Sequence, residues 1–238
     1  MSTVHGFNGY SASLFLHIVL FVYWLGGDLG VYYASRYILK PDLGPEARLV
    51  AAKIMHGVDL APRICLVLFL PSGVTLMAEG PIGDDFFVHG WLLAVMWAGF
   101  LAWLVVAVLD YRGGDTPHGR LLQRSDLAVR YVLVVTLLIA AAYTVVASEP
   151  FGVDTNPKWQ GAKVGAYALC ILCGVLIRTR LKPFGPAFGT LVTSGSTPEV
   201  ESAIAGSIRR CEPFVYSIWG LVVLAAVLGV IKPGTTAF

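Results

Sequence analysis

Apolar residues run along this chain in six blocks, roughly 11–34, 58–78, 86–109, 127–148, 159–178 and 213–231, separated by polar stretches bearing glycine or proline. A helix rising about 1.5 Å per residue crosses the roughly 30 Å hydrocarbon layer of a bilayer in about 20 residues. The pattern therefore predicts an all-α integral membrane protein: six transmembrane helices built as three repeated hairpins, about 11–78, 86–148 and 159–231, in one membrane domain. Pro62 and Pro71 predict kinks in the second helix.

The polar segments between spans 1 and 2, 3 and 4, and 5 and 6 share a design. Each starts at a proline (Gly44-Pro45, Thr116-Pro117, Thr197-Pro198) and leads through an amphipathic stretch into the next span. Thr197-Pro198-Glu199 reads as a helix cap, with Arg209 and Arg210 in the last turn of that helix. Two of the segments also match residue by residue: "KIMHGVDLAPR" (53–63) lies over "RLLQRSDLAVR" (120–130), with Asp59 over Asp126 and Arg63 over Arg130. Such a repeat is expected of a chain built from duplicated hairpins. An Asp and an Arg four residues apart pair on a helix surface, and a pair present twice reads as architecture rather than chemistry.

Composition agrees with the membrane reading. The 238 residues are 56% hydrophobic and 13% charged, with a mean hydropathy of +0.72. A net charge of +2 spread over loops gives no ground for a nucleic-acid partner, so partners are expected in or beside the bilayer, membrane lipid first. The three segments named above hold 14 of the 17 Lys and Arg residues, which predicts that they lie inside and both termini outside. The start, "MSTVHGFNGYSA", lacks the basic region of a cleaved signal, so the first block reads as a retained helix. The expected location is the bacterial inner membrane, crossed several times. Cys65, Cys170, Cys173 and Cys211 lie in or beside spans and predict no disulfide.

Ionisable residues break the apolar blocks. Within "LFLHIVLFVYWLGGDLGVYY" (14–33), steps of 100° per residue bring Trp24 and Asp28 within about 20° of His17. Groups of this kind are costly in lipid, so that face turns inward. His89 opens the third span, with Met96, Phe100 and Trp103 below it, and Lys163 opens the fifth. His17, His89 and Lys163 thus fall one or two turns from the same surface. Imidazoles converging at one depth suit iron, copper or zinc, and among Trp, Phe and Tyr neighbours a flat haem b fits best. His17 and His89 are the expected axial ligands, and Trp24 and Met96 wall the ring. His56 lies at the opposite end of span 2. It is a candidate, with Asp28, for proton relay from the inner face.

These residues resemble a known group. "LHIVLFVYWLGG" is similar to the His-then-Trp-Gly helix of the HemJ-type protoporphyrinogen oxidases and of the copper-resistance protein D-like membrane proteins, and "APRICLVLFLPSG" to their second helix. "WQGAKVGAY" resembles the Trp-x-x-x-Lys segment of HemJ. The resemblance covers about a third of the chain. It implies association with haem b through the family's His and Lys, which match His17 and Lys163.

Three functions follow as expectations. The first is a b-type cytochrome-like redox protein, passing electrons between a quinone or small organic reductant, porphyrin-like compounds included, and an outer-side partner protein. The second is a Cu(I) or other metal permease using His17, Met77, Met96 and His89. The third is a cofactor-free anchor subunit, within a larger complex or a homo-oligomer.

Overall fold

The computed structural model describes residues 8–79, 90–113, 116–150 and 158–234. Within them the chain forms eight helices: α1 (Gly9–Ile38), α2 (Pro45–Ala78), α3 (Gly90–Arg112), α4 (Pro117–Val146), α5 (Lys158–Arg180), α6 (Phe184–Ser194), α7 (Pro198–Arg209) and α8 (Glu212–Ile231). No strand occurs among the described residues. The protein is an all-α bundle with six segments long and apolar enough to cross a membrane.

Local chemistry sets where these helices begin. Asn8 and Ser11 cap α1 reciprocally, each side-chain oxygen accepting the other's backbone N–H at 2.8 Å. The prolines expected to open helices do so: Pro45 follows Gly44, Pro117 follows Thr116, and Pro198 follows Thr197. The two threonine hydroxyls accept from Gly119 N at 3.0 Å and Val200 N at 3.3 Å. α2 and α4 then run unbroken into their spans, and at 34 and 30 residues both exceed the bilayer core. The third segment differs. Pro213 has no N–H to give and its ring crowds the carbonyl four residues back, so the helix ends at Arg209 and α8 starts anew.

Pro62 and Pro71 sit inside one continuous helix, α2. The turn before Pro71 is supported from outside, because the Tyr167 hydroxyl of α5 donates to the Leu66 carbonyl at 2.7 Å.

One core joins all six spanning helices, with Trp24, Val67, Trp103, Val134, Ile171 and Val222 at its centre. Apolar side chains such as Phe15, Ile139 and Val230 stand exposed on the outside, where only lipid favours them. The members of each expected hairpin are neighbours, α1 with α2, α3 with α4 and α5 with α8. α4 nevertheless packs more extensively on α5 than on α3. The cause is small residues: Gly161 and Gly165 of α5 face Ala141 of α4, and a Cβ at Gly161 would stand 2.9 Å from Thr144 Cβ.

A second cluster caps one end of the bundle, where Phe188 and Leu191 of α6 and Ile204 and Ile208 of α7 cover Ile38 and Ala51. This end carries the arginines. Arg48, nearly fully buried, donates to the Ile38 carbonyl at 2.8 Å and grips Glu201 of α7 with both terminal nitrogens, at 2.6 and 2.9 Å. Arg36 of α1 pairs with Glu212 of α8 at 2.7 Å.

Candidate functional site

Toward the other end of the bundle, His17 faces α2. Its Nδ1 is 2.8 Å from Ser72 Oγ and its ring lies 4.2 Å from the Phe69 ring, centroid to centroid. The Ser72 hydroxyl has one hydrogen, and at 3.0 Å that hydrogen is donated to the Phe69 carbonyl one turn back. Ser72 and the Phe69 ring thus hold the His17 imidazole in place by its Nδ1 side. This is how a ligating histidine is oriented in metal sites. Gly73 makes the approach possible, since a Cβ there would sit 3.2 Å from His17 Cε1.

Lys163 of α5 converges on the same region. It lies within electrostatic range of His17 and Lys232, its ammonium stands 5.9 Å from the Trp159 ring centroid, and it reaches over Gly229 of α8. The bundle thus brings together an imidazole and an amine from helices 146 residues apart in sequence. His89 falls outside the described residues. Met96 is half-buried on α3, and its neighbour Trp97 ties that helix to α2 by donating to Thr75 Oγ1 at 2.9 Å.

Behind His17 the aromatic rings continue into the core. Phe69 meets Trp24 at 5.3 Å, and Trp24 meets Tyr167 at 6.4 Å, both edge to face. Trp24 is 2% exposed. Between Trp24, Phe69, Tyr167 and Val222 remains a cavity of about 10 Å³, the room of one water. The donor chemistry suits a haem iron, with an imidazole held at its Nδ1 and an amine within electrostatic range of it. The packed core behind His17 has no room for the ring itself, which would lie outside that core.

Asp28 lies deeper on α1. Trp24 hydrogen-bonds its carboxyl, Oδ2 is buried and accepts no hydrogen bond among the described residues, and Asp59 and Cys65 of α2 lie within its electrostatic range. His56, by contrast, is exposed at the arginine-bearing end. Its ring stacks on Tyr111 of α3 at 4.4 Å and 8°, its carbonyl accepts from the Tyr111 hydroxyl, and Arg63 lies 5.6 Å above the same tyrosine.

Both duplicated pairs form. Asp59 and Arg63 approach to 2.6 Å with side chains about a third exposed, and Asp126 and Arg130 to 2.8 Å, nearly fully buried. The second pair is the hub of a larger network, since Arg178 of α5 bridges Asp126 at 2.8 Å and Asp110, while Trp103 Nε1 donates to Asp126 at 2.8 Å. Among the described residues, no three His, Cys, Asp or Glu side chains gather as ligands for a bare metal ion. Sequence reasoning passed over Ser72, whose only signal was a hydroxyl next to Pro71 in an apolar run.

No protein-family model, curated protein or solved structure matches the chain.

Proposed function

We propose that this is a membrane b-type cytochrome-like redox protein, passing electrons between a quinone or small organic reductant and an outer-side partner. The observation that carries the proposal is the placement of His17: inside an apolar spanning helix its ring is held at Nδ1 by Ser72 and packed on Phe69, as a ligating imidazole is held by its non-ligating nitrogen. Haem b, when bound, supplies a one-electron couple. His17 would hold it, with His89 or Lys163 as the second ligand, and Lys163 is supported by lying within electrostatic range of His17. The arginine-bearing end faces the bacterial cytoplasm and both termini face outward, as the Lys and Arg distribution favours.

In this arrangement Ser72 orients the imidazole, and the rings of Phe69, Trp24 and Tyr167 exclude water behind it. The test is an absorption spectrum of detergent-purified protein, oxidised and dithionite-reduced. A Soret band that shifts on reduction supports the proposal. His17→Ala removes it, and replacing the second ligand removes it or converts a low-spin spectrum to high spin. A wild type without haem, or one whose spectrum survives His17→Ala unchanged, ends this reading.

A further inference from the structure

The two copies of the Asp–Arg motif stand in different electrical surroundings. In the second, two carboxylates, Asp110 and Asp126, meet two guanidinium groups, Arg130 and Arg178, and Trp103 adds an N–H donor. The charges cancel. In the first, Arg63 holds Asp59, and Asp28 lies within electrostatic range of Asp59 across a tight α1–α2 seam in which Gly27 lies on Pro62 and Gly30 on Val58. Arg63 also lies within range of Asp110 and Asp126, so over both copies four carboxyls share three guanidinium groups.

No further positive charge faces Asp28 among the described residues. Trp24, one turn away on α1, hydrogen-bonds its carboxyl, and the thiols of Cys65 on α2 and Cys170 on α5 lie within its electrostatic range. On α8 the acid Glu212 is already joined to Arg36. With Oδ2 enclosed and accepting no hydrogen bond from the described residues, a bare carboxylate here is unfavourable in a low-dielectric interior. The site is one positive charge short.

From this asymmetry we infer that Asp28 is a proton-loading site, occupied at rest and exchanging its proton with water at the arginine-bearing end by way of Asp59. On loading, an O–H bond forms on the Asp28 carboxylate and the donor, hydronium or a buffer acid, becomes its conjugate base. On release the reverse occurs. Asp59 and Arg63 suit the passage because their side chains, 31% and 34% exposed, open toward that end. The inference stands apart from the haem reading, since it uses no ligand of the iron.

A hydrophobic carbodiimide tests it, because such reagents enter the bilayer and couple only to carboxyls that carry a proton. Full-length protein in liposomes is treated with dicyclohexylcarbodiimide at a series of pH values, and the adducts are located by mass spectrometry. Asp28 is labelled, labelling falls as pH rises, and Asp126 stays unmodified. Asp28→Asn removes the adduct. Asp59→Asn removes the carboxyl through which the proton passes and changes the pH profile of Asp28 labelling. The inference is overturned if Asp28 is unlabelled, if its labelling ignores pH or the Asp59 substitution, or if sodium at constant pH protects it, which would identify a metal cation as the occupant. The haem spectrum of the same samples reports separately on the proposed cofactor.

Discussion

At the residue scale, His17 and Ser72 differ in how far the sequence reveals them. An imidazole inside an apolar helix stands out because the bilayer penalises it. A serine does not, because its hydroxyl normally bonds back to its own helix, as Ser72 does to Phe69. Only the fold brings residues 55 positions apart to 2.8 Å. Ser72→Ala removes the hydroxyl that holds the His17 ring, so affinity for the proposed haem should fall by roughly 10- to 100-fold, measured by titrating haem into apoprotein, while Ser72→Thr retains most of it. The duplicated aspartates teach the same lesson. Their pairing with the arginine four residues on is readable from spacing, but the Arg178 bridge, 52 residues from Asp126, is not. Asp126→Ala strands Arg130 in the interior, takes one of Arg178's two partners and should lower stability by about 3–5 kcal/mol. Asp59→Ala, at a pair a third exposed, should cost much less. Thermal unfolding of both variants in the same detergent makes the comparison, and equal losses would contradict it.

Among the elements, all six spans were legible because twenty apolar residues in a row have few other uses. The proline starts of α2, α4 and α7 were legible too, since proline suits the first turn of a helix, where its missing N–H does no harm. α6 was not. Its sequence, "FGPAFGTLVTS", mixes glycine, proline and threonine and resembles a loop, and it becomes a helix by laying Phe188 and Leu191 over Ile38 and Ala51. The strong α4–α5 contact was also hidden, because glycines four apart say that something approaches without saying what. Gly161→Leu drives a side chain into Thr144 and the Ala141 carbonyl and should destabilise the bundle by about 1–3 kcal/mol. Gly26→Leu is the control, as a side chain there meets nothing within 4 Å. Its unfolding midpoint should stay near wild type; a drop matching that of Gly161→Leu would remove the seam from the explanation.

For the whole molecule, charge is segregated along the bundle axis, and this predicts both an acid response and an orientation. α7 lies outside the spanning segments, held to α2 by Arg48, whose hydrogen bonds keep the Glu201 carboxyl below its ordinary range. A carboxyl lowered in the folded state stabilises it above the unfolded value, and that contribution is lost as pH falls through the folded value. Hydrogen-exchange protection in α7, relative to the intrinsic rate at each pH, should therefore be constant at neutral pH and fall only in acid, below the usual range of a glutamate. Glu201→Gln should exchange faster at neutral pH and show less acid dependence. The orientation follows from the same segregation. Arg36, Arg48, Arg63, Arg130 and Arg178 converge at one end through bonds to Glu212, Glu201 and the aspartates, so the positive residues of the connecting segments share one side. Insertion retains such segments in the cytoplasm. His118, exposed in the first turn of α4, belongs to that side, whereas Gly234, exposed just after α8, belongs to the other. In a chain whose own four cysteines are replaced by alanine, a membrane-impermeant maleimide should modify Gly234→Cys in intact cells and His118→Cys only after the membrane is opened. The reverse pattern would invert the bundle. The His17 end would then face the cytoplasm, and the proposed electron partner would have to be sought there.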